Sequence, residues 1–436
     1  VTHDSPALLT DHYELTMLQA AIRAGMHQRR CVFETFTRRL PHGRRYGILA
    51  GTGRFLEQLA NFTFDGRQLA FLEEAKVVDG PTLEYLSDFR FTGTIRGYGE
   101  GEAFFPHSPV LQVEAPFAEA CVLETLILSI LNFDSAIASA ASRMTGAAGS
   151  RPCLEMGSRR AHEEAAVAAA RAAVIAGFVG TSNLEAGYRY GLKTIGTSAH
   201  AFTLLFDGEE DAFQAQLDSL GIDTTLLVDT YDVERAVRTA VRLAGPRLGA
   251  VRLDSGDLGT QAVALRELLD SLGNRDTKIT VTSDLDEYAI AGLAAAPVDS
   301  YGVGTRLVTG SGAPTSSMVY KLVARENSSG EMISVAKKSQ GKGSIGGEKH
   351  AGRRRDDHGV AVAESVALDP SLLTAGNYRP LMRTLVSDGR ILPGATGAEG
   401  VRAAADRRAA TIAELPRAIR RLSEGDPAIP TEFLDH

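Results

Sequence analysis

The sequence predicts an α/β protein built on an irregular parallel α/β barrel of the TIM-like kind, with a flanking α+β domain and a C-terminal cap. Three observations predict it. Short β-like runs (CLEMG, GFVGTS, LKTIGTSA, TTLLVDTY, GAVRLDSG, KITVTSD, SYGVGTRL and MVYKLVA) follow one another from about residue 153, several of them separated by Ala- and Leu-rich helical stretches. That alternation is the pattern of parallel strands joined by crossover helices. Polar clusters stand where the apolar runs stop, in GTSAHAF, VDTYD, VRLDSGD, TVTSDLDEY and YGVGTRLVTG, and in a parallel barrel the ligand-binding groups lie at the carboxyl ends of the strands. The amino-terminal part has a different texture: FTGTIRGYGEGEAFF and VLQVEAPF alternate as the strands of a half-buried antiparallel sheet do.

These textures set the expected domains. Residues 1–117 form the α+β domain, 118–325 the barrel with the active site, and 326–436 a segment poorer in strand pattern that packs back on the first domain, ending in a helix around Thr411 to Ser423. The alanines of EEAAVAAARAAVIAG need mean only high helix propensity and close packing.

With 436 residues, 44% hydrophobic and 23% charged, the chain is long enough for a sizeable core and is neither fibrous nor disordered. No window reads as the roughly 18 uninterrupted apolar residues of a membrane span. The start, VTHDSPALLTDHYEL, lacks a basic region and an apolar signal core, and Cys31, Cys121 and Cys153 have no paired spacing, so a cytoplasmic location is expected. A net charge of −8 argues against a polyanionic partner such as nucleic acid. The basic stretch Lys337 to Arg355 reads as a solvated flexible loop or as a mobile lip near substrate phosphates.

Each polar cluster has a chemistry and a plainer alternative. In VRLDSGDL, Asp254 and Asp257 flank a turn in which Gly256 permits close approach of a ligand, a pair suited to ribose hydroxyls or a divalent cation. Equally, such aspartates close strands and cap helices. Arg252 inside the preceding apolar run must be paired or must meet an anion. Gly302, Gly304 and Thr305 of YGVGTRL form a strand, glycine turn and helix start that can hold a phosphate. His200 carries an imidazole whose ring nitrogen can act as a nucleophile, although a lone His is more often a hydrogen-bonded structural residue. Ser182 and Glu185 have capping-box spacing, which would place a helix amino terminus beside the site, favourable to a small carboxylate. Asp229 and Asp232 of TLLVDTYDV lack the Thr-rich phosphate loop of Rossmann-like phosphoribosyltransferases and read as another strand end.

Taken together, TDHYELTMLQAA at Thr10 to Ala21, FETFTRRLP at Phe33 to Pro41, EMGSRRAHE at Glu155 to Glu163, GTSN at Gly180 to Asn183, GTSAHAF, VRLDSGDL, YGVGTRLV and YKL at Tyr320 to Leu322 closely resemble, in the same order, the nicotinate phosphoribosyltransferase family. The resemblance implies transfer of phosphoribose from phosphoribosyl diphosphate to nicotinate, with ATP as co-substrate and Mg²⁺ as cofactor. It implies that His200 is the phosphorylated histidine and that Asp254 and Asp257 lie at the ribose and metal. Tyr13 would stack on the pyridine ring from the partner of a homodimer, Arg159 and Arg252 would meet anionic groups, and the GVGT turn would hold the 5′-phosphate. Thr181, Ser182, Ser255, Gly256 and Ser283 complete the expected substrate contacts. Ser182 falls where relatives that use nicotinamide carry an acid, so a neutral hydroxyl is compatible with a carboxylate substrate. Met156 stands where relatives often carry the Phe that forms the second face of the pyridine sandwich, and a thioether can pack on an aromatic ring. Quinolinate phosphoribosyltransferase, which shares the barrel class, would surround its substrate with more Arg and Lys than this sequence places there, and a metabolite-binding homologue without turnover would not need His200, Asp254 and Asp257.

Overall fold

The computed structural model describes residues 5–337, 343–374 and 376–435. The chain divides into two compact units, residues 1–139 with 313–436 and residues 140–312. Both boundaries differ from those expected at 117/118 and 325/326. The apolar run after Ala118 builds one long helix, Glu124–Ala148, that starts in the first unit. The run MVYKLVA is no barrel strand: it is the antiparallel strand Met318–Glu326, paired along its length with Arg30–Thr37.

In the first unit a seven-stranded antiparallel sheet runs in the order Met332–Ser334, Met318–Glu326, Arg30–Thr37, Leu111–Pro116, Thr94–Tyr98, Met382–Ser387, Arg390–Ile391. Burial differs along the sheet: Thr94–Tyr98 alternates in part, as its run implied, whereas every residue of Arg30–Thr37 after Arg30 is buried. Phe33 stacks on Tyr320 with ring centroids 4.8 Å apart, whereas Glu34 is satisfied by Lys349 at 2.9 Å and Gln112 at 3.0 Å. Sequence carboxyl to Glu326 was expected to be poor in strands, yet it supplies seven, among them His350–Arg355 and Ala361–Ala367 of a four-stranded sheet. Its final α-helix spans Gly397–Glu414, starting well before the expected position and overlapping it at Thr411–Glu414, and a 3₁₀ turn follows at Arg417–Arg420. Leu415 precedes Pro416 and is extended, as the clash with a following proline ring requires.

The basic stretch is also corrected where it is described. Residues 338–342 lie outside the described residues, but Lys349 and Arg353 are neither solvated nor part of a lip. Arg353 is fully buried, reaching Glu364 at 2.9 Å and Glu414 at 3.1 Å. Burial alone would lower its pKa, and the facing carboxylates Glu364, Glu102 and Glu414 more than offset it.

In the second unit six parallel strands lie in the order Gly180–Thr181, Cys153–Glu155, Ser300–Val303, Lys278–Ser283, Ala250–Leu253, Thr225–Leu227. This is an α/β half-barrel. Among the described residues no ladder joins Gly180–Thr181 to Thr225–Leu227; LKTIGTSA, expected as a strand between them, makes only an isolated bridge from Thr194 to Thr181. Helices Glu163–Ile175, Glu209–Leu220, Val233–Ala244 and Leu258–Ser271 are among the crossovers. The alanines of Glu163–Ile175 are mostly buried, which lets this helix pack closely. One stretch, Phe117–Ala148, does reach membrane-span length and apolarity, against expectation, but 67% of its apolar window is buried inside the protein, as in a core helix.

Candidate active site

In a parallel sheet all strands present their carboxyl ends to one edge, and ligands bind there. At that edge the second unit opens a cleft of about 410 Å³. Met156, Arg159 and Arg160 enter from the end of Cys153–Glu155, Arg252 and Asp254 from Ala250–Leu253, Thr282, Ser283 and Asp284 from Lys278–Ser283, and Gly302, Gly304 and Thr305 from Ser300–Val303, with His200 opposite. Nine expected site residues therefore share one space: Met156, Arg159, His200, Arg252, Asp254, Ser283, Gly302, Gly304 and Thr305.

Asp229 organises one wall. Its Oδ1 lies 3.1 Å from His200 Nε2, and its Oδ2 accepts from the Asp254 backbone N–H at 2.7 Å and the Ser255 hydroxyl at 2.9 Å. The carboxylate is buried while the imidazole is partly exposed to the cleft. Asp254 in turn accepts the Thr282 hydroxyl. Sequence reading left Asp229 as a strand end; the signal was present, since an apolar run stopping at an acid is the same signal that marked Asp254.

Arg252 donates to the Thr197 hydroxyl at 2.7 Å, its Nε is buried without a partner, and no carboxylate lies in ion-pair contact with it among the described residues. Burial pulls its pKa down, Asp254 and Asp229 oppose that, and Arg159 adds to it. Arg159 likewise has no ion pair among the described residues. Arg252, partly buried without a carboxylate, calls for an anion, and the exposed Arg159 on the same cleft adds to its positive charge.

Backbone shape completes the pocket. A Cβ at Gly302 would lie 2.4 Å from Thr282 Cγ2 and 2.8 Å from Met156 Sδ, so glycine is what lets the thioether sit there. Ser283 holds φ at 148°, a strained conformation of the sort that collects at functional sites.

Other expected contacts are placed elsewhere. Asp257 is exposed and caps helix Leu258–Ser271, accepting from Thr260 N–H at 3.1 Å and the Thr260 hydroxyl at 2.9 Å, which holds its carboxyl below the usual range. With Gly256 it lines an adjoining groove that shares Ser283 and Asp284 with the cleft. Ser255 is engaged by Asp229. Thr181 is buried and donates to Glu155. Ser182 is exposed, outside the cleft lining, and is not the helix cap: Asn183 caps Leu184–Tyr190, accepting from Ala186 N–H at 2.8 Å. Tyr13 belongs to the first unit, on helix His12–Arg23, 45% exposed, its hydroxyl within reach of Glu124; burial and that carboxylate hold its pKa well up. Residues that sequence reading did not single out are Glu155, Arg160, Thr197, Thr282 and Asp284.

Comparison with known proteins meets this geometry. The model described as the nicotinate phosphoribosyltransferase (NAPRTase) N-terminal domain matches residues 8–132, and that of the NAPRTase family matches residues 152–366. The nicotinate phosphoribosyltransferase pncB1 of Mycobacterium tuberculosis is 52% identical over 99% of this chain and 96% of its own length. This chain belongs to the nicotinate phosphoribosyltransferase family. A Bacillus subtilis nicotinate phosphoribosyltransferase is 41% identical over 77% of this chain and 70% of its own. The fold is shared with the crystal structure of human nicotinic acid phosphoribosyltransferase, at TM-score 0.80 and 24% identity over 97% of both chains. Within the nicotinate phosphoribosyltransferase models, both the cleft and helix His12–Arg23 fall inside matched residues.

Proposed function

We propose that this chain is a cytoplasmic, homodimeric enzyme that transfers phosphoribose from phosphoribosyl diphosphate to nicotinate, releasing pyrophosphate and nicotinate mononucleotide, coupled to ATP through a phosphohistidine at His200. The observation that carries the reading is the cleft in which Arg159 and Arg252, without carboxylate partners among the described residues, face His200 and Asp254. Family membership supports it. We read the half-barrel with its crossover helices as an irregular TIM-like barrel, open between Gly180–Thr181 and Thr225–Leu227.

In the transfer, the pyridine nitrogen forms a bond to the anomeric carbon as the bond to pyrophosphate breaks. Positive charge develops on the ribose and negative charge on the leaving group, so fixed cations and accurate placement lower the barrier. Arg252, held by Thr197, and Arg159 supply the cations, while Asp254, fixed by Thr282, faces the ribose. Met156 is one wall of the pyridine pocket, and Tyr13 reaches the pocket of the partner chain. An Nε2–H directed at Asp229 leaves the lone pair of His200 on Nδ1, which attacks the terminal phosphorus of ATP and displaces ADP. Among the described residues no group of three or more His, Cys, Asp or Glu is placed to hold a metal. The donor set fits Mg²⁺ held chiefly by substrate phosphates, with Asp254 and Asp284 as the cleft carboxylates; Asp257 is committed to its helix. Bound there, Mg²⁺ would neutralise phosphate charge. The three cysteines are buried and form no disulfide among the described residues, in accord with a reducing compartment.

Incubation with phosphoribosyl diphosphate and Mg²⁺, with nicotinate, nicotinamide or quinolinate and with or without ATP, tests the reading. Mononucleotide formed from nicotinate far faster than from the other two supports it; equal or better use of nicotinamide overturns the specificity. Mixing Tyr13→Ala and Asp254→Ala chains should return about a quarter of wild-type activity, because half the dimers are mixed and each carries one intact pocket of two.

A further inference from the structure

We propose that Glu155 is a positioning residue: its buried carboxylate locks the turn from Met156 to Arg160 against the neighbouring strand end and so sets Arg159 and Arg160 in the cleft. Glu155 is fully buried at the end of Cys153–Glu155, and no cation lies in ion-pair contact with it among the described residues. A carboxylate buried without a cation is costly, and a residue that served packing alone could be apolar.

What Glu155 does have is a circuit. One carboxylate oxygen accepts the Gly157 N–H and the other the Thr181 hydroxyl. That hydroxyl oxygen accepts the Asn183 N–H at 2.9 Å, and the Asn183 amide donates to the Ser158 hydroxyl at 3.0 Å. The circuit thus closes on the 3₁₀ turn Ser158–Arg160, which has no side-chain cap of its own. Glu155's own carbonyl accepts from Ser182 N–H at 2.8 Å, and Met156 N–H donates to Val303 at the same distance. There is little slack to replace these bonds: a Cβ on Gly157 would lie 2.2 Å from Val308 and 3.0 Å from Glu155 Oε1. Burial raises the carboxyl pKa, and the bonds from Thr181 and Gly157 oppose that rise without cancelling it. The circuit explains why Thr181, expected to touch substrate, is buried instead.

The inference rests on the reading that Arg159 and Arg160 meet an anionic substrate, and the test separates the two. Calorimetric titration with inorganic pyrophosphate and with phosphoribosyl diphosphate, both with Mg²⁺, is combined with steady-state rates for Glu155→Gln, Thr181→Val, Thr181→Ser and Arg159→Ala. Glu155→Gln keeps the shape but turns one acceptor into a donor; Thr181→Val removes the hydroxyl at constant volume. Both should weaken pyrophosphate binding and raise the KM for phosphoribosyl diphosphate tenfold or more while kcat falls less than threefold. Thr181→Ser should restore both to within twofold of wild type. Binding and KM within twofold of wild type in Thr181→Val or in folded Glu155→Gln would overturn the proposal, as would a parallel fall of kcat, affinity and melting temperature that Thr181→Ser fails to rescue. Should Glu155→Gln not fold, the Thr181 pair decides. Wild-type affinity in Arg159→Ala, or no binding by the wild type, would instead strike the anion-site reading itself and this inference with it.

Discussion

Arg353 in the first unit is fully buried and Arg252 in the second is half-buried at the cleft, and the two guanidinium groups are treated in opposite ways. Arg353 is enclosed by Glu364, Glu102 and Glu414, with Thr411 at 3.2 Å and the Ala103 carbonyl at 2.8 Å. The Nε of each is buried without a partner, but Arg252 has only one hydroxyl, at 2.7 Å, and no carboxylate in ion-pair contact among the described residues. A cation kept for structure is faced by carboxylates that neutralise it, because an uncompensated buried charge is expensive. One kept for a ligand is left with capacity, and the fold bears part of its desolvation until an anion arrives.

Changing each arginine to Met should therefore move stability in different directions. Arg353→Met leaves carboxylates buried without their cation and should cost about 3–5 kcal/mol, seen as a lowered denaturant midpoint or as failure to fold. Arg252→Met should leave the melting temperature unchanged or raise it while weakening substrate binding by about 1.5–3 kcal/mol, the worth of hydrogen bonds to a charged group, measured as pyrophosphate affinity. A loss of stability in Arg252→Met equal to that in Arg353→Met would erase the distinction between the two regions.

His200 sharpens it within the cleft. His200→Ala should retain some nucleotide formation but lose stimulation by ATP, and labelled ATP should leave no acid-labile phosphate on it. Phosphate retained on that variant would place the acceptor elsewhere. Ser182→Asp should have a smaller effect, weakening nicotinate binding by like-charge repulsion if the exposed Ser182 faces the bound carboxylate; unchanged nicotinate affinity would remove Ser182 from the pocket.

Asp257 should show the smallest change. It caps a helix, so Asp257→Asn is expected to lower the melting temperature slightly and leave turnover near wild type, unlike Asp254→Asn. Its carboxyl is held below the usual range by the Thr260 backbone N–H and hydroxyl. The stabilisation is thus present above the ordinary carboxylate range and is lost as pH falls through the lowered one. Melting temperatures of wild type and Asp257→Asn should converge in acid. Turnover in Asp257→Asn as poor as in Asp254→Asn would return Asp257 to the reacting centre.

Much of the cleft was legible because its signals are local. Where Ala250–Leu253 stops, Asp254 follows, and where Ser300–Val303 stops, Gly304 and Thr305 follow; an apolar run and its end are written in adjacent residues. Helix caps are local too, but Ser182 and Asn183 are adjacent candidates, and only the bond from Ala186 N–H selects Asn183. The run MVYKLVA identified a strand correctly and its sheet wrongly, since β-branched residues favour extension without specifying a partner. Its partner, Arg30–Thr37, lies almost 300 residues away.

By itself the sequence determined the six strands of the second unit's sheet, though not that LKTIGTSA and MVYKLVA stand outside it, the polar residues at the strand ends, and the resemblance to the nicotinate phosphoribosyltransferase family. Only the tertiary structure decided that Lys349 and Arg353 are interior ion pairs, that Thr181 is buried against Glu155, that Asp257 caps a helix, and that Asp229 joins His200 to Asp254. The physical reason is that hydrophobic period and turn chemistry are set within a few residues, whereas the fate of a charge depends on what faces it. The acids facing Arg353 include Glu102, 251 residues away in sequence, and no reading of neighbouring residues could have paired them.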